Sequence, residues 1–368
     1  MRSRWGLAPL AILVGLALAC TAPASAPPAS APATGSAPTA PAAAKPAATS
    51  AAAAPAAATA PPERQSLKFG YNAILAGAPT FVAQDRGYFA EEGFDTEFNS
   101  FDSGALMVSS VAAGQLDIIP AVPSPSIFNA LARDITMKAV AAQSWTLTVL
   151  MLRKQLADSG QFKTMQDLKG RKVSFNVEGS PVDYSLRVAF EKSGMSLSDV
   201  QVERVSNTDL AAALANGAVD AGVVPEPLPV LIESRGIGER FGDIQALVGR
   251  QTGSVVVIGP SMIERGDAVN TRFVLAYLKG LRDYQAAIKD DKVADPAILD
   301  ILSTWTKIPP DTIAKATTQG SPLGGRIDLD DMNRQQDFWA AVGQVPTKVD
   351  LSKFVEYRYL DAAQAQLH

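Results

Sequence analysis

From residue 67 onward, short apolar runs alternate with stretches in which apolar residues return every third or fourth position. Runs of about four to eight apolar residues bounded by glycine and polar positions read as buried strands, and a 3.6-residue period reads as helix. Residues 67–71, 94–98 and 117–121 are predicted strands, separated by helices over 79–87 and 104–113. Pro79 suits a first helical turn, where its missing N–H has no partner to lose. Gly87 and Gly114 follow the last periodic positions, where a left-handed backbone ends a helix. Strand and helix in alternation predict an α/β sheet of mostly parallel strands.

The same device returns about a hundred residues later. A helix over 209–216 stops at Gly217, and Asp220 leads a strand over 221–224. Gly114 and Gly217 lie 103 apart, as do Asp117 and Asp220, and Glu92-Gly93 matches Ser193-Gly194 at a spacing of 101. Three matches in register predict two similar halves. The second half holds strands at 172–176 and 200–205 and a helix at 182–193. Strands at 147–152 and 255–258 carry the chain out of the first half and back, and side by side they are the expected two-strand hinge. Helices over 270–289, 296–306, 311–318 and 330–342 then close on the first half. The expected division is a first lobe from 64–153, a second from 154–254, and a return with C-terminal helices over 255–368.

The first sixty residues have another character. Arg2 and Arg4 precede a 13-residue apolar run, 7–19, that ends at Cys20. A spanning helix needs about 20 residues, so 1–20 reads as a secretory signal. The chain's single Cys falls where a bacterial lipobox requires it, although Ala17 stands where a larger aliphatic residue is usual; Cys20 is the expected lipid attachment point. Residues 21–62 contain 21 Ala and 10 Pro among 42 positions and one charge, Lys45. Proline at that density blocks the helix alanine favours and leaves an extended tether over 21–63, reaching roughly 40 Å as a coil and about 130 Å extended.

Composition then removes function classes. The net charge of −4 becomes −6 without Arg2 and Arg4, which speaks against a nucleic-acid partner. One Cys and one His, the terminal His368, leave no disulfide, no Cys/His metal cage and no Cys-His nucleophile. No cofactor is implied. Asp328, Asp330 and Asp331 lack the glycine and terminal glutamate of a calcium loop and read as helix capping. Gly236, Gly238 and Gly242 miss the dinucleotide spacing and read as a loop.

Several segments, in order, resemble one family. They are Gly70-Tyr71, Ala78-Pro79, 84–89 (QDRGYF), Glu91-Glu92-Gly93, Ser103-Gly104, 113–117 (AGQLD), 168–173 (LKGRKV), Gly179-Ser180, 216–221 (NGAVDA) and Glu226-Pro227. The set, covering roughly 67–290, is similar to the nitrate, sulfonate, taurine and pyrimidine-precursor solute-binding proteins of ABC importers. The resemblance implies a two-lobed periplasmic-binding-protein fold of type II, each lobe a mixed sheet flanked by helices. It implies a small-molecule ligand and a membrane permease as partners, an extracytoplasmic monomer held to the membrane only by its N-terminal lipid, and no catalysis. Two positions depart from the family: Pro225 precedes Glu226 where an aromatic residue is common, and Pro181 follows Gly179-Ser180 where a second hydroxyl is common.

Ligands of open α/β sheets sit beyond the carboxyl ends of the strands, where helix N-termini offer free N–H groups. The first-lobe candidates are Asn72, Phe81, Ser103, Gly104, Pro123 and Ser124, with Trp145 near the crossover. The second-lobe candidates are Gly179, Ser180, Tyr184, Asn207, Asp209 and Glu226. Glu226, between two prolines just past a strand, is the sharpest of these. Tyr184, Trp145 and Phe81 around a planar ring, with Glu226 and Asn72 at its edge, point to a neutral or cationic heterocycle of pyrimidine or vitamin type. Pro79 and Pro181 each remove a donor that a sulfonate, taurine or nitrate would use, and Glu226 would repel an anion. Two other classes compete: a ligand sensor that reports closure without transport, and an enzyme on the same fold, whose chemistry resembles a case needing His and a Cys-rich segment, against the single terminal His and single Cys of this chain.

Overall fold

A computed structural model describes residues 64–101, 104–318 and 320–367. The signal, the tether, Cys20 and Ser103 lie outside the described residues. Ten strands form two five-stranded sheets: β1 (Gln65–Tyr71), β2 (Phe94–Ser100), β3 (Ile118–Ala121), β4 (Lys138–Trp145), β5 (Thr148–Arg153), β6 (Lys172–Phe175), β7 (Gln201–Arg204), β8 (Ala221–Pro225), β9 (Gly238–Arg240) and β10 (Thr252–Ile258). The first sheet has the order β2-β1-β3-β10-β4 and the second β7-β6-β8-β5-β9. In the first, β1 runs parallel to β2 and β3 while β10 lies antiparallel between β3 and β4. In the second, β6 runs parallel to β7 and β8 while β5 lies antiparallel between β8 and β9.

The strands that cross between the halves are therefore not neighbours, as a side-by-side hinge would require. Strand β5 enters the second sheet and β10 returns to the first. Every residue of β10 is buried and β5 is buried except at Arg153. A strand buried along nearly its whole length loses most by lying at an edge, so each takes an interior place. The crossings are short segments at 146–147 and 250–251, joined where the Thr146 N–H donates to the Gln251 carbonyl at 3.0 Å.

The repeat read from Asp117 and Asp220 has a physical basis. Asp117 accepts from the Lys68 N–H at 2.8 Å and pairs with Arg265 at 3.0 Å. Asp220 accepts from the Lys172 N–H at 3.2 Å and pairs with Arg153 at 2.9 Å. Each carboxylate stands just before a strand and ties it to the backbone of the neighbouring parallel strand and to an arginine, which for Asp220 ends β5 and for Asp117 follows the short helix Pro260–Glu264 after β10. Each preceding glycine, Gly114 and Gly217, has a left-handed φ of 70° and 75° that turns the chain tightly into that strand.

The helix Asp267–Ala286 lies across the first sheet with Phe273, Tyr277 and Leu281 in a core shared with Phe69, Phe89 and Phe94. Leu150, Val173, Phe175, Leu186 and Phe190 build the core of the second lobe. Sequence patterning missed β4, whose alanines carry little strand signal, and the terminal helix Tyr357–Gln364. The glycine loop at 236–242 contains the edge strand β9, which pairs with Met151–Arg153 of β5. No helix among the described residues is long and apolar enough to cross a membrane.

Candidate functional site

Between the sheets, at the carboxyl ends of β1, β6 and β8, lies a cleft of about 260 Å³. A cavity of about 150 Å³ suffices for benzene, so the space admits a substituted ring. The first lobe contributes Gly70, Tyr71, Asn72, Leu75, Gly104 and Val122; the second contributes Asn176, Ser180, Asn207, Pro225 and Glu226; residues 143–148 and 253–254 at the crossings close it off. Gly253 is required there, because a Cβ would stand 2.7 Å from the backbone carbonyl carbon of Trp145.

Glu226 dominates the electrostatics. Its side chain is 4% exposed and one oxygen, Oε1, accepts from Arg240 at 2.6 Å. The other, Oε2, is buried without a partner. Burial outweighs the Arg240 hydrogen bond and pushes its pKa above the ordinary carboxylate value. Asn207 Oδ1 and Thr148 Oγ1 are also buried and unpartnered, and both residues line the same cleft. An unmatched buried polar atom costs about 1–3 kcal/mol, so three on one wall mark a surface made to be completed by something else.

The opposite wall is already satisfied. Gln143 Nε2 donates to Ser254 Oγ at 3.3 Å, Ser144 and Ser254 share a hydroxyl contact of 2.8 Å, and the Thr80 hydroxyl donates to Gln143 Oε1 at 3.0 Å. Ser321 Oγ donates to the Gln143 carbonyl at 2.5 Å. Sequence reading passed over this network and over Thr148. The signal was present in Gln143, Ser144, Thr146 and Thr148, polar residues set in otherwise strand-like stretches.

Of the expected residues, Asn72, Gly104, Trp145, Ser180, Asn207 and Glu226 line the cleft. Asn72 spends its amide on the Phe101 carbonyl at 2.5 Å, and Ser180 caps the helix Pro181–Lys192 while donating to Asn176 Oδ1 at 2.9 Å. Phe81 reaches the wall only as a fully buried ring stacked on Trp305 at 4.7 Å, because the aromatic cluster of the first lobe claims it. Pro123 and Ser124 lie off the cleft; Val122 takes the wall, and Ser124 sits at the cap of the helix Pro125–Leu131. Gly179 packs against Pro125 instead of facing the cavity, and Asp209 is an exposed helix-cap residue that accepts from Ser206 at 2.7 Å. Tyr184 is also displaced. It is buried edge-on against Phe338 at 4.9 Å and near Trp339, both on the helix Leu329–Ala341, and burial raises its pKa to about 12. It joins the lobes on one side and does not line the cleft. Asp328 caps that same helix, while Asp331, buried, accepts from the Thr252 N–H at 2.6 Å and pins the return crossing.

Two α/β lobes joined by two crossings, the second set into the chain of the first, with unmatched polar atoms in the cleft between them, define a two-lobed solute-binding protein of the periplasmic type, the kind that serves ABC-type importers. The chain belongs to the NMT1/THI5-like family, whose model matches residues 76–291. It is 26% identical over 253 residues to the taurine-binding periplasmic protein of Escherichia coli K12, covering 67% of this chain and 71% of that one. It is 24% identical over 222 residues to the riboflavin-binding protein RibY of Chloroflexus aurantiacus, covering 60% and 62%. The crystal structure of the periplasmic nitrate-binding protein NrtA from Synechocystis PCC 6803 superposes with a TM-score of 0.67 at 17% identity, covering 82% of this chain and 89% of that one.

Proposed function

We propose that the protein captures a neutral or cationic aromatic heterocycle in the cleft and presents it to an ABC permease, while a lipid on Cys20 holds it at the extracytoplasmic membrane face. The observation that carries the ligand class is the Glu226 carboxylate oxygen, buried and unpartnered in a cleft that Asn207, with its own Oδ1 unpartnered, also lines. Both are acceptors, so they suit a ring edge that carries N–H donors. Trp145 offers a ring face, and Leu75 and Val122 offer apolar wall. With Tyr184 and Phe81 withdrawn into packing, stacking falls to Trp145, with Tyr71 also on the cleft wall. A similarity to a riboflavin-binding protein agrees with this class.

The similarity to a taurine-binding protein supports an anion instead. Against it stands the same buried carboxylate, which would repel an anion. Binding would draw the lobes together about the two crossings and favour the form the permease recognises. Calorimetry with 4-aminopyrimidines, riboflavin, taurine, an alkanesulfonate and nitrate tests the ligand class. Heterocycle binding is expected; sulfonate or nitrate binding with the heterocycles silent would overturn the reading. X-ray scattering with the binding compound should report a smaller radius of gyration, and an unchanged radius would rule out closure as the signal.

A further inference from the structure

The cleft does not end at the ring site. A second cavity of about 450 Å³ shares Leu147, Thr148, Thr317 and Thr318 with it. It opens between the edge of the second sheet and the hairpin formed by Ile288–Lys289 and Lys292–Val293. Thr148, 1% exposed and with its hydroxyl unpartnered, belongs to both cavities.

Four charged residues line this outer chamber: Arg240, Asp243, Arg250 and Asp291. Two are committed elsewhere. Arg240 is held by Glu226 and Glu233, and the Asp243 carboxylate caps its own helix through the Ala246 N–H at 2.9 Å. Arg250 lies with its guanidinium 5.3 Å from the centre of the Trp145 ring and has no ion pair among the described residues. Asp291, at the hairpin turn with φ of 56°, has no side-chain partner among the described residues. The chamber thus offers one group that only donates hydrogen bonds and one that only accepts them, together with the unpartnered Thr148 hydroxyl.

We propose that this outer chamber binds a hydroxylated, uncharged arm of the ligand, so that the cargo is a heterocycle bearing a sugar or polyol chain. A hydroxyl both accepts and donates, so consecutive hydroxyls meet Arg250 and Asp291 at once. A phosphate only accepts and would face Asp291, with Glu226 and Glu233 behind Arg240. An ammonium only donates and would face Arg250. The inference rests on the ring assignment above, since the arm enters past Thr148 from a ring held at Glu226.

The test is calorimetric, on the full chain, with cytosine, cytidine, cytidine 5′-monophosphate and 5′-amino-5′-deoxycytidine. Cytidine is expected to bind at least tenfold more tightly than cytosine, and both charged forms more weakly than cytidine. Asp291→Asn, which keeps a residue tolerant of the left-handed backbone, and Arg250→Gln should each shrink the cytidine-to-cytosine ratio severalfold. Cytosine binding as well as cytidine overturns the arm site and leaves the ring reading standing. Tighter binding of the monophosphate or the amine overturns the choice of an uncharged arm. Silence from all four compounds overturns the ring reading and this inference together.

Discussion

Replacing Glu226 by Gln should weaken ligand binding and leave the empty protein at least as stable. In the native protein Oε1 is taken by Arg240 at 2.6 Å and Oε2 is buried with no partner. In the variant the amide oxygen can keep Arg240, which turns the NH₂ toward the place where the ligand's own N–H would be. A hydrogen bond to a charged group contributes about 1.5–3 kcal/mol, and about 1.4 kcal/mol is tenfold in affinity, so the dissociation constant should rise roughly ten- to hundredfold. Stability moves the other way, because burial penalises the charge more than Arg240 rewards it. The folded carboxyl takes up its proton at higher pH than the unfolded chain does. The stability of the empty native protein therefore rises as pH falls through the raised folded value, and levels off once the unfolded carboxyl is protonated too. Over that interval affinity for a donor-bearing ring falls, since protonation removes the acceptor. Titration calorimetry and thermal melts across pH, on both proteins, read the two effects. An unchanged dissociation constant, or a variant that melts well below the native protein when empty, would refute the reasoning and make Glu226 a structural ion pair.

Tyr184→Ala empties a buried site between Phe338 and Trp339 and should cost about 3–5 kcal/mol in denaturant unfolding, whereas Tyr184→Phe, which keeps the ring, should cost far less. Asp117 and Asp220 hold equivalent places, but the Asp117 side chain is 8% exposed and Asp220 16%, and only Asp117 also accepts from Ser261. Asp117→Ala should therefore lose about 3–5 kcal/mol and Asp220→Ala measurably less; equal losses in urea titrations would contradict this. Gly253→Ala, forced against Trp145 backbone, should cost about 1–3 kcal/mol in a thermal melt, while Gly104, with open space around its missing Cβ, should tolerate alanine with a much smaller loss. Cys20→Ser should move the protein from the membrane fraction to the soluble fraction, and continued sedimentation with membranes would dismiss the lipid anchor.

Residues whose position is dictated locally were legible in the sequence. Gly114 and Gly217 could be paired because a left-handed turn into a strand favours glycine, and Asp117 and Asp220 because each ties two strands by one carboxylate. Glu226 stood out because prolines on both sides fit no ordinary surface helix. What stayed hidden depends on partners distant in sequence. Tyr184, in the first turns of the helix Pro181–Lys192 just after the Gly179-Ser180 loop, was expected to face the ligand. The helix Leu329–Ala341, more than 140 positions on, covers it instead. Nothing in the period of 147–152 says which sheet the strand joins, and so its place in the second sheet, apart from β10, could not be read. Thr148 was overlooked because a single hydroxyl in an apolar run looks like a tolerated strand residue until its missing partner is seen.

The return of β10 makes the halves unequal in how they depend on each other. The second sheet is built from one continuous stretch, β5 to β9, whereas the first needs β10 from beyond it, so a cut at either crossing strips a central rung from the first ladder alone. Only the second jaw is continuous in sequence. A fragment ending near residue 147 would display the bare flanks of β3 and β4, inviting aggregation, and a graft of the second half onto another protein would have to bring β5 along.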